Sequence, residues 1–223
     1  MTTVSGSTSI GPLVQQQTER ISSNTSQPST DAATVSLVLS AIGTAQEQTT
    51  LAKAIAVLDA MKGRLQEMEA SFSATLKTEF HRPALQETFD KMHDMKQKMA
   101  VMEAAIEKLP SLSLQRATLQ NRGNEGGLSW KESSDIHNQL SQVNYDIHFA
   151  EFQALTGGNF YAFCEHRAPG LRMEAGTLRS RLADGGLSPN DQQKIQDRLE
   201  YVEQTLVSVE KNIANGKSSG LLT

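Results

Sequence analysis

The chain has 223 residues and a formal net charge of −4, so it is long enough to bury a core of its own. Acidic and basic residues are interspersed, which argues against a nucleic-acid binder, since such proteins carry a basic face. Aromatic residues make up 5% of the chain and mean hydropathy is −0.40, a composition that favours thin apolar seams between helices. The single cysteine cannot form a disulfide within the chain.

The N-terminal region, residues 1–30, is rich in Ser, Thr and Gln and has few large apolar side chains. Because it cannot bury enough surface to offset its ordering entropy, we expect it to be disordered. It has neither the basic start nor the apolar run of a cleavable signal peptide. The longest apolar stretch, residues 35–45, is far shorter than the ~20 residues that cross a bilayer. We therefore expect a soluble chain without a transmembrane segment.

A weak helical pattern begins after Asp31, which can cap a helix, and its apolar positions are Val35, Val38, Leu39 and Ile42. Strong seven-residue periodicity then runs through residues 51–109 on both sides of Pro83. Since the residue before a proline avoids helical dihedrals, two long helices folded back on each other are predicted. Their charged positions predict a solvated outer face.

Six of the eight methionines lie in this predicted hairpin. A methionine-rich surface can form an adaptable groove for a partner, but the heptad register of these residues favours a seam in which they face each other. Both interpretations concern the same interaction seam: Met61, Met68, Met92, Met95, Met99 and Met102.

Pro110 is predicted to end the second helix, and residues 111–128 to form a loop, because three glycines fall among residues 121–127. A capping box of Ser129 and Glu132 then opens a helix, with Trp130 entering the core at its start. That helix ends at 156–158, a Thr-Gly-Gly sequence. Its two Asp-Ile-His repeats place His137 and His148 about 16 Å apart, too far for a shared metal.

Residues 159–170 are predicted to be irregular, with an aromatic cluster at 160–163 that closes the end of the bundle. Cys164 and His166 suggest a nucleophile, since an imidazole can lower a thiol pKa, but no orienting acid accompanies them, and we expect a structural role. A short helix is predicted over 171–183.

The last helix has the strongest local signals. Ser188 caps it, Pro189 occupies its first position and Asp191 complements its dipole, while Asn215-Gly216 is predicted to end it before a flexible tail, 216–223. Either the hairpin or another subunit should cover its apolar stripe. The stripe, the second part of the predicted interaction seam, consists of Ile195, Leu199, Val202, Leu206, Val209 and Ile213.

The predicted fold is all-α: an elongated helical bundle built on a long antiparallel helical hairpin with a C-terminal coiled-coil helix. Its divisions are a disordered region (1–30), the hairpin (31–110), a loop (111–128), helices that complete the bundle (129–215) and a flexible tail. The sequence contains no phosphate loop, zinc-protease motif, paired cysteines or nucleophile elbow, so we expect no catalytic residue, cofactor or metal.

The polar N-terminal region, the hairpin and the stripe at 195–213 together resemble the secreted helical proteins of bacterial type III secretion systems, of the filament, needle-tip, hydrophilic translocator or effector type. The resemblance implies that residues 1–30 carry the export signal and that helices pair as a coiled coil outside the bacterium. The partners would be further copies of the chain, a secretion chaperone or a host protein, and the location secreted or on the bacterial surface.

Two other hypotheses remain open. The chain could be a cytoplasmic helical scaffold, chaperone or secretion regulator that binds one partner through its methionine-rich helices. It could also be an enzyme that uses Cys164 and His166.

Overall fold

The computed structural model describes residues 44–78 and 82–222. These residues form five α-helices and no strand: α1 (Ala45–Thr78), α2 (Arg82–Gly123), α3 (Trp130–Thr156), α4 (Phe160–Ala183) and α5 (Pro189–Ser218). The predicted all-α class is therefore confirmed for the described part of the chain. The predicted disordered region 1–30 and the helical pattern from Asp31 to Ile42 lie outside it.

Helices α1, α2 and α3 share one buried apolar cluster, which includes Leu51, Met102, Ile106, Val143 and Ala154. Ion pairs join α1 to α2 at Lys62–Glu103 and Glu69–Lys96. As the residue number rises in α1 it falls in α2, so the two helices run antiparallel.

Helix α3 also runs antiparallel to α2. Ile136, near its start, lies beside Gly123, and Gly157, just after its end, lies against the backbone of Lys98. Helix α3 therefore covers α2 from Gly123 back to about Lys98.

The prediction that Pro110 ends the second helix is wrong, and so is most of the predicted loop at 111–128, because α2 continues through Pro110 to Gly123. An interior proline costs a helix about 3 kcal/mol. Beyond it, Leu112 and Leu119 are 6% and 7% exposed, and burying such side chains contributes roughly 1.5–3 kcal/mol each. Two buried leucines thus offset the cost of the proline, and only the stretch from residue 124 to Ser129 connects α2 to α3.

The predicted boundaries of α3 are confirmed. Ser129 and Glu132 form the capping box, and the hydrogen bonds that Ser129 donates lower the pKa of Glu132. Gly157 ends the helix in the left-handed conformation, with φ of 63°. The predicted burial of Trp130 is wrong: its side chain is 86% exposed, because the first turn of α3 extends past the apolar cluster.

The predicted irregular segment at 159–170 is also wrong. Asn159 caps α4, and the helix runs without interruption through Pro169 to Ala183. Its apolar row alternates four- and three-residue spacings, as in a heptad, but three of its five members are small residues, so the row is only weakly hydrophobic. The row comprises Cys164, Ala168, Leu171, Ala175 and Leu178.

The capping of α5 by Ser188, with Pro189 at its first turn, is confirmed. Its predicted end at Gly216 is wrong, because the helix continues to Ser218. The N–H of Leu221 donates to the Gly216 carbonyl at 2.9 Å, and the N–H of Gly220 donates to the Lys217 carbonyl at 3.2 Å. This is a Schellman cap, with Gly220 at φ of 68°.

The predicted flexible tail at 216–223 therefore needs correction over its described residues. Besides the Schellman cap, Asn159 Nδ2 donates a hydrogen bond to the Leu221 carbonyl at 3.1 Å. Gly216 lies so close to Tyr161 that a Cβ there would be 2.8 Å from the Tyr161 side chain. The end of α5 is thus fastened to the start of α4.

Candidate functional site

The six methionines of the predicted seam are all buried or half-buried. Met92 and Met102 are buried, at 8% and 0% exposed, and the other four are half-buried. Met61 and Met99 pack against the shared cluster of α1, α2 and α3. A partner could use these side chains fully only if α1 and α2 separated.

The α5 stripe packs against α4 of the same chain. Val202 is fully buried, and Leu199, Leu206 and Ile213 pack on the same cluster as the α4 row. Within the described residues the stripe is therefore covered by α4 and not by the predicted hairpin. The sequence analysis did not identify α4 as the partner of the stripe, because alanine and cysteine make the apolar row of α4 only weakly hydrophobic.

Ion pairs flank the α4–α5 seam at Arg172–Glu210 and Arg179–Glu203, with N–O distances of 2.8 and 2.6 Å. As the residue number rises in α4 it falls in α5, so these two helices are also antiparallel. Exposed pairs of this kind contribute about 0–1 kcal/mol each, so their main effect is on register.

Cys164 and His166 lie in different environments. Cys164 is 2% exposed within the α4–α5 seam, and burial raises the pKa of its thiol. The His166 ring is exposed and packs against Phe152, with 5.3 Å between ring centroids. A raised pKa keeps the thiol protonated at neutral pH, whereas nucleophilic catalysis needs the thiolate.

A cluster of aromatic rings joins α3 to α4. Phe163 is 2% exposed and lies 5.0 Å from Phe149 and 5.5 Å from Phe152, between ring centroids. The Arg167 guanidinium stacks over Tyr145 and Phe163, at 5.3 and 5.5 Å. The predicted aromatic cluster therefore fastens the α4–α5 pair to the first three helices, although from within a helix rather than a loop.

Two clefts flank this joint, and Phe163 and Arg167 line both. The smaller, of about 350 Å³, lies between α3, α4 and α5, and Tyr201 is on its α5 side. The larger, of about 610 Å³, is bounded by α1, α3 and α4, and we call it the joint cleft.

The joint cleft combines apolar and ionisable side chains. Phe152, Leu155 and Leu171 contribute its apolar surface. Glu151 is 8% exposed, and its Oε2 lies 3.3 Å from Nδ1 of His148, one turn earlier in α3. The cleft is thus suited to an amphipathic occupant.

Within residues 44–78 and 82–222, no three His, Cys, Asp or Glu side chains converge as they would around a metal ion. In the same part of the chain, no helix is both long and apolar enough to cross a membrane.

Comparison with known protein families, characterised proteins and solved structures found no match to this chain. Its function must therefore be inferred from its own residues and their arrangement.

Proposed function

We propose that this protein is a non-enzymatic interaction protein exported by a bacterial type III secretion system, of the filament, needle-tip, translocator or effector type. It acts outside the cytoplasm through coiled-coil helix packing, as an elongated bundle whose α1–α2 hairpin and C-terminal helix provide the apolar seams.

The observation that carries the proposal is the pairing of α5 with α4. The α4–α5 pair has an apolar cluster separate from that of α1, α2 and α3, and Gly157 and Gly158 connect it to α3. In an isolated chain the α5 stripe is masked by α4. On assembly, the same stripe exchanges α4 for a helix of another chain, as coiled-coil seams permit.

The export step is tested with residues 1–30 fused to a reporter, in strains with and without a working type III apparatus. The expected result is reporter outside the cell only in the competent strain. A matched fusion in which residues 1–30 are scrambled controls for passive release. Retention of the native fusion by both strains would contradict export and favour the cytoplasmic scaffold.

The packing step is tested at Leu199 and Leu206, which are half-buried against α4, with exposed Val207 as the control. Leu199→Asp and Leu206→Asp should abolish assembly or folding, whereas Val207→Asp, at a side chain that is 68% exposed, should leave the helical circular dichroism unchanged. Normal folding and assembly of both leucine variants would contradict a role for the stripe.

A further inference from the structure

We propose that the smaller cleft, between α3, α4 and α5, binds an aromatic monocarboxylate whose carboxylate accepts hydrogen bonds from Arg167 and whose ring lies against the aromatic side chains of the cleft wall. The inference does not depend on the export proposal. It rests on the charge pattern along the α4–α5 seam, on the stacking of Arg167 and on the composition of the cleft.

Ion pairs on one flank of the α4–α5 seam follow a regular register. Each α4 member directly follows a residue of the α4 apolar row, and the positions step by seven in both helices. The pairs are Glu165–Lys217, Arg172–Glu210 and Arg179–Glu203. Every heptad along this flank therefore brings together two opposite charges.

Arg167 lies on the other flank of the same seam. Glu174 and Arg167 each directly precede an alanine of the α4 row, and Glu174 pairs with Arg198 of α5 at 2.7 Å. One heptad along, the antiparallel register places Arg167 opposite Thr205. Arg167 thus has a hydroxyl side chain opposite it, where the neighbouring heptad provides an opposite charge.

The half-buried guanidinium of Arg167 has donors to spare. It stacks over the rings of Tyr145 and Phe163, which occupies its planar face and leaves the N–H groups at its edge. Within residues 44–78 and 82–222, Arg167 makes no ion pair and donates no hydrogen bond. A planar group with two oxygens, such as a carboxylate, matches this fork of donors.

The charge of the cleft selects a single negative charge. Arg167 is the one charged side chain among the described residues that line it. A monocarboxylate therefore balances the site, whereas a phosphate monoester, with a charge of about −1.5 to −2, would leave an excess of negative charge in it.

The rest of the cleft wall fits a flat apolar body. Aromatic rings from three helices line the cleft: Tyr145 of α3, Phe160 and Phe163 of α4, and Tyr201 of α5. Ring pairs of this kind favour offset or edge-on packing against another ring. The volume of about 350 Å³ lies within the range of small-molecule sites.

The test is a nuclear magnetic resonance titration of the purified full chain with phenylacetate. We expect a Kd in the low millimolar range or tighter, with amide shifts at Thr205, Ser208 and Asn212 of the smaller cleft. Because Arg167 also lines the joint cleft, His148 and Thr156 there serve as the spatial control and should not shift. No binding, or shifts centred on the joint cleft, would overturn the proposal.

Two analogues separate the charge from the ring. Phenylacetamide lacks the negative charge and acetate lacks the ring, and each should bind about tenfold or more weakly than phenylacetate. Binding of either analogue as tight as that of phenylacetate would contradict the assigned ligand class.

Variants of α4 test the role of Arg167. Arg167→Met should abolish the preference for phenylacetate over phenylacetamide. Arg181→Met, at an exposed arginine of the same helix that does not line the cleft, should keep it. A preference that survives in Arg167→Met would overturn the proposal.

A second pair of variants covers the case in which Arg167→Met disturbs the packing of α3 on α4. Ser208 is an exposed residue of α5 that lines the cleft, so Ser208→Trp fills it from the outside and should weaken phenylacetate binding about tenfold or more. Val207→Trp, next to it but outside the cleft, should bind as the wild-type chain does. Equal affinities of these two variants would also overturn the proposal.

Discussion

The carboxylate of Glu47 accepts two hydrogen bonds from the guanidinium of Arg116, one on each oxygen, and joins the start of α1 to the far half of α2. The Glu47 and Arg116 side chains are only 5% and 12% exposed. Glu47 also accepts the backbone N–H of Thr44 at 2.8 Å, and its own N–H donates to the Thr44 hydroxyl, so the same carboxylate completes the N-terminal capping box of α1.

Replacing Arg116 should therefore lower the free energy of unfolding. Arg116→Leu leaves a buried carboxylate without its counter-ion, and we expect a loss of about 3 kcal/mol in the free energy of unfolding. Urea denaturation followed by circular dichroism measures it. The control is Lys62→Met at an exposed pair, 45% and 40% exposed, where the change should stay below about 1 kcal/mol. Equal effects of the two substitutions would show that burial does not strengthen the Glu47–Arg116 pair.

Ser113 should tolerate loss of its hydroxyl. Ser113 is fully buried in α2, and its Oγ has no hydrogen-bond partner among the described residues. An unsatisfied buried polar group costs about 1–3 kcal/mol, so Ser113→Ala should leave the protein equally stable or more stable. Thermal unfolding measures the change, with Ser111→Ala as the exposed control. A clear loss of stability in Ser113→Ala alone would reveal a partner for the hydroxyl.

Gly157 should be more sensitive to substitution than Gly185, although both have positive φ, 63° and 72°. Gly185→Ala meets no atom within 4 Å, so it should cost only the left-handed conformation, about 1–2 kcal/mol. A Cβ at Gly157 would lie 2.8 Å from the Lys98 carbonyl oxygen, and the overlap adds roughly 1–3 kcal/mol. Equal unfolding free energies for the two variants would contradict the close approach of α3 to α2.

Cys164 should react with thiol reagents only when the α4–α5 pair opens. Burial raises the pKa of the thiol in the folded chain, so ionisation favours the unfolded chain, where a thiol titrates near pH 9.0. The contribution of this group to stability is therefore complete below about pH 9.0 and is lost as pH rises above it. Cys164→Ala should lessen the alkaline decline in unfolding free energy above about pH 9.0. Rapid labelling of the folded protein at pH 7 would contradict the burial.

The sequence by itself determined the features that depend on neighbouring residues. The Ser129–Glu132 box, the Gly157 stop and the Ser188-Pro189 start are local hydrogen-bonding and dihedral effects within a few positions, so they can be read from the chain. Seven-residue periodicity likewise identified the apolar faces of the long helices.

The tertiary structure decided what depends on long-range burial. Pro110 and Pro169 stand inside helices because buried apolar residues on both sides offset their local cost. The α4 row was missed because Ala168 and Ala175 become core residues only when α5 packs on them.

The candidate site divides in the same way. The interaction-seam residues were identifiable as apolar stripes, but which helix covers each stripe depends on packing between residues far apart in sequence. The joint cleft and the Glu47–Arg116 pair, 69 residues apart, have no local signal, since they arise only when α1, α2, α3 and α4 come together.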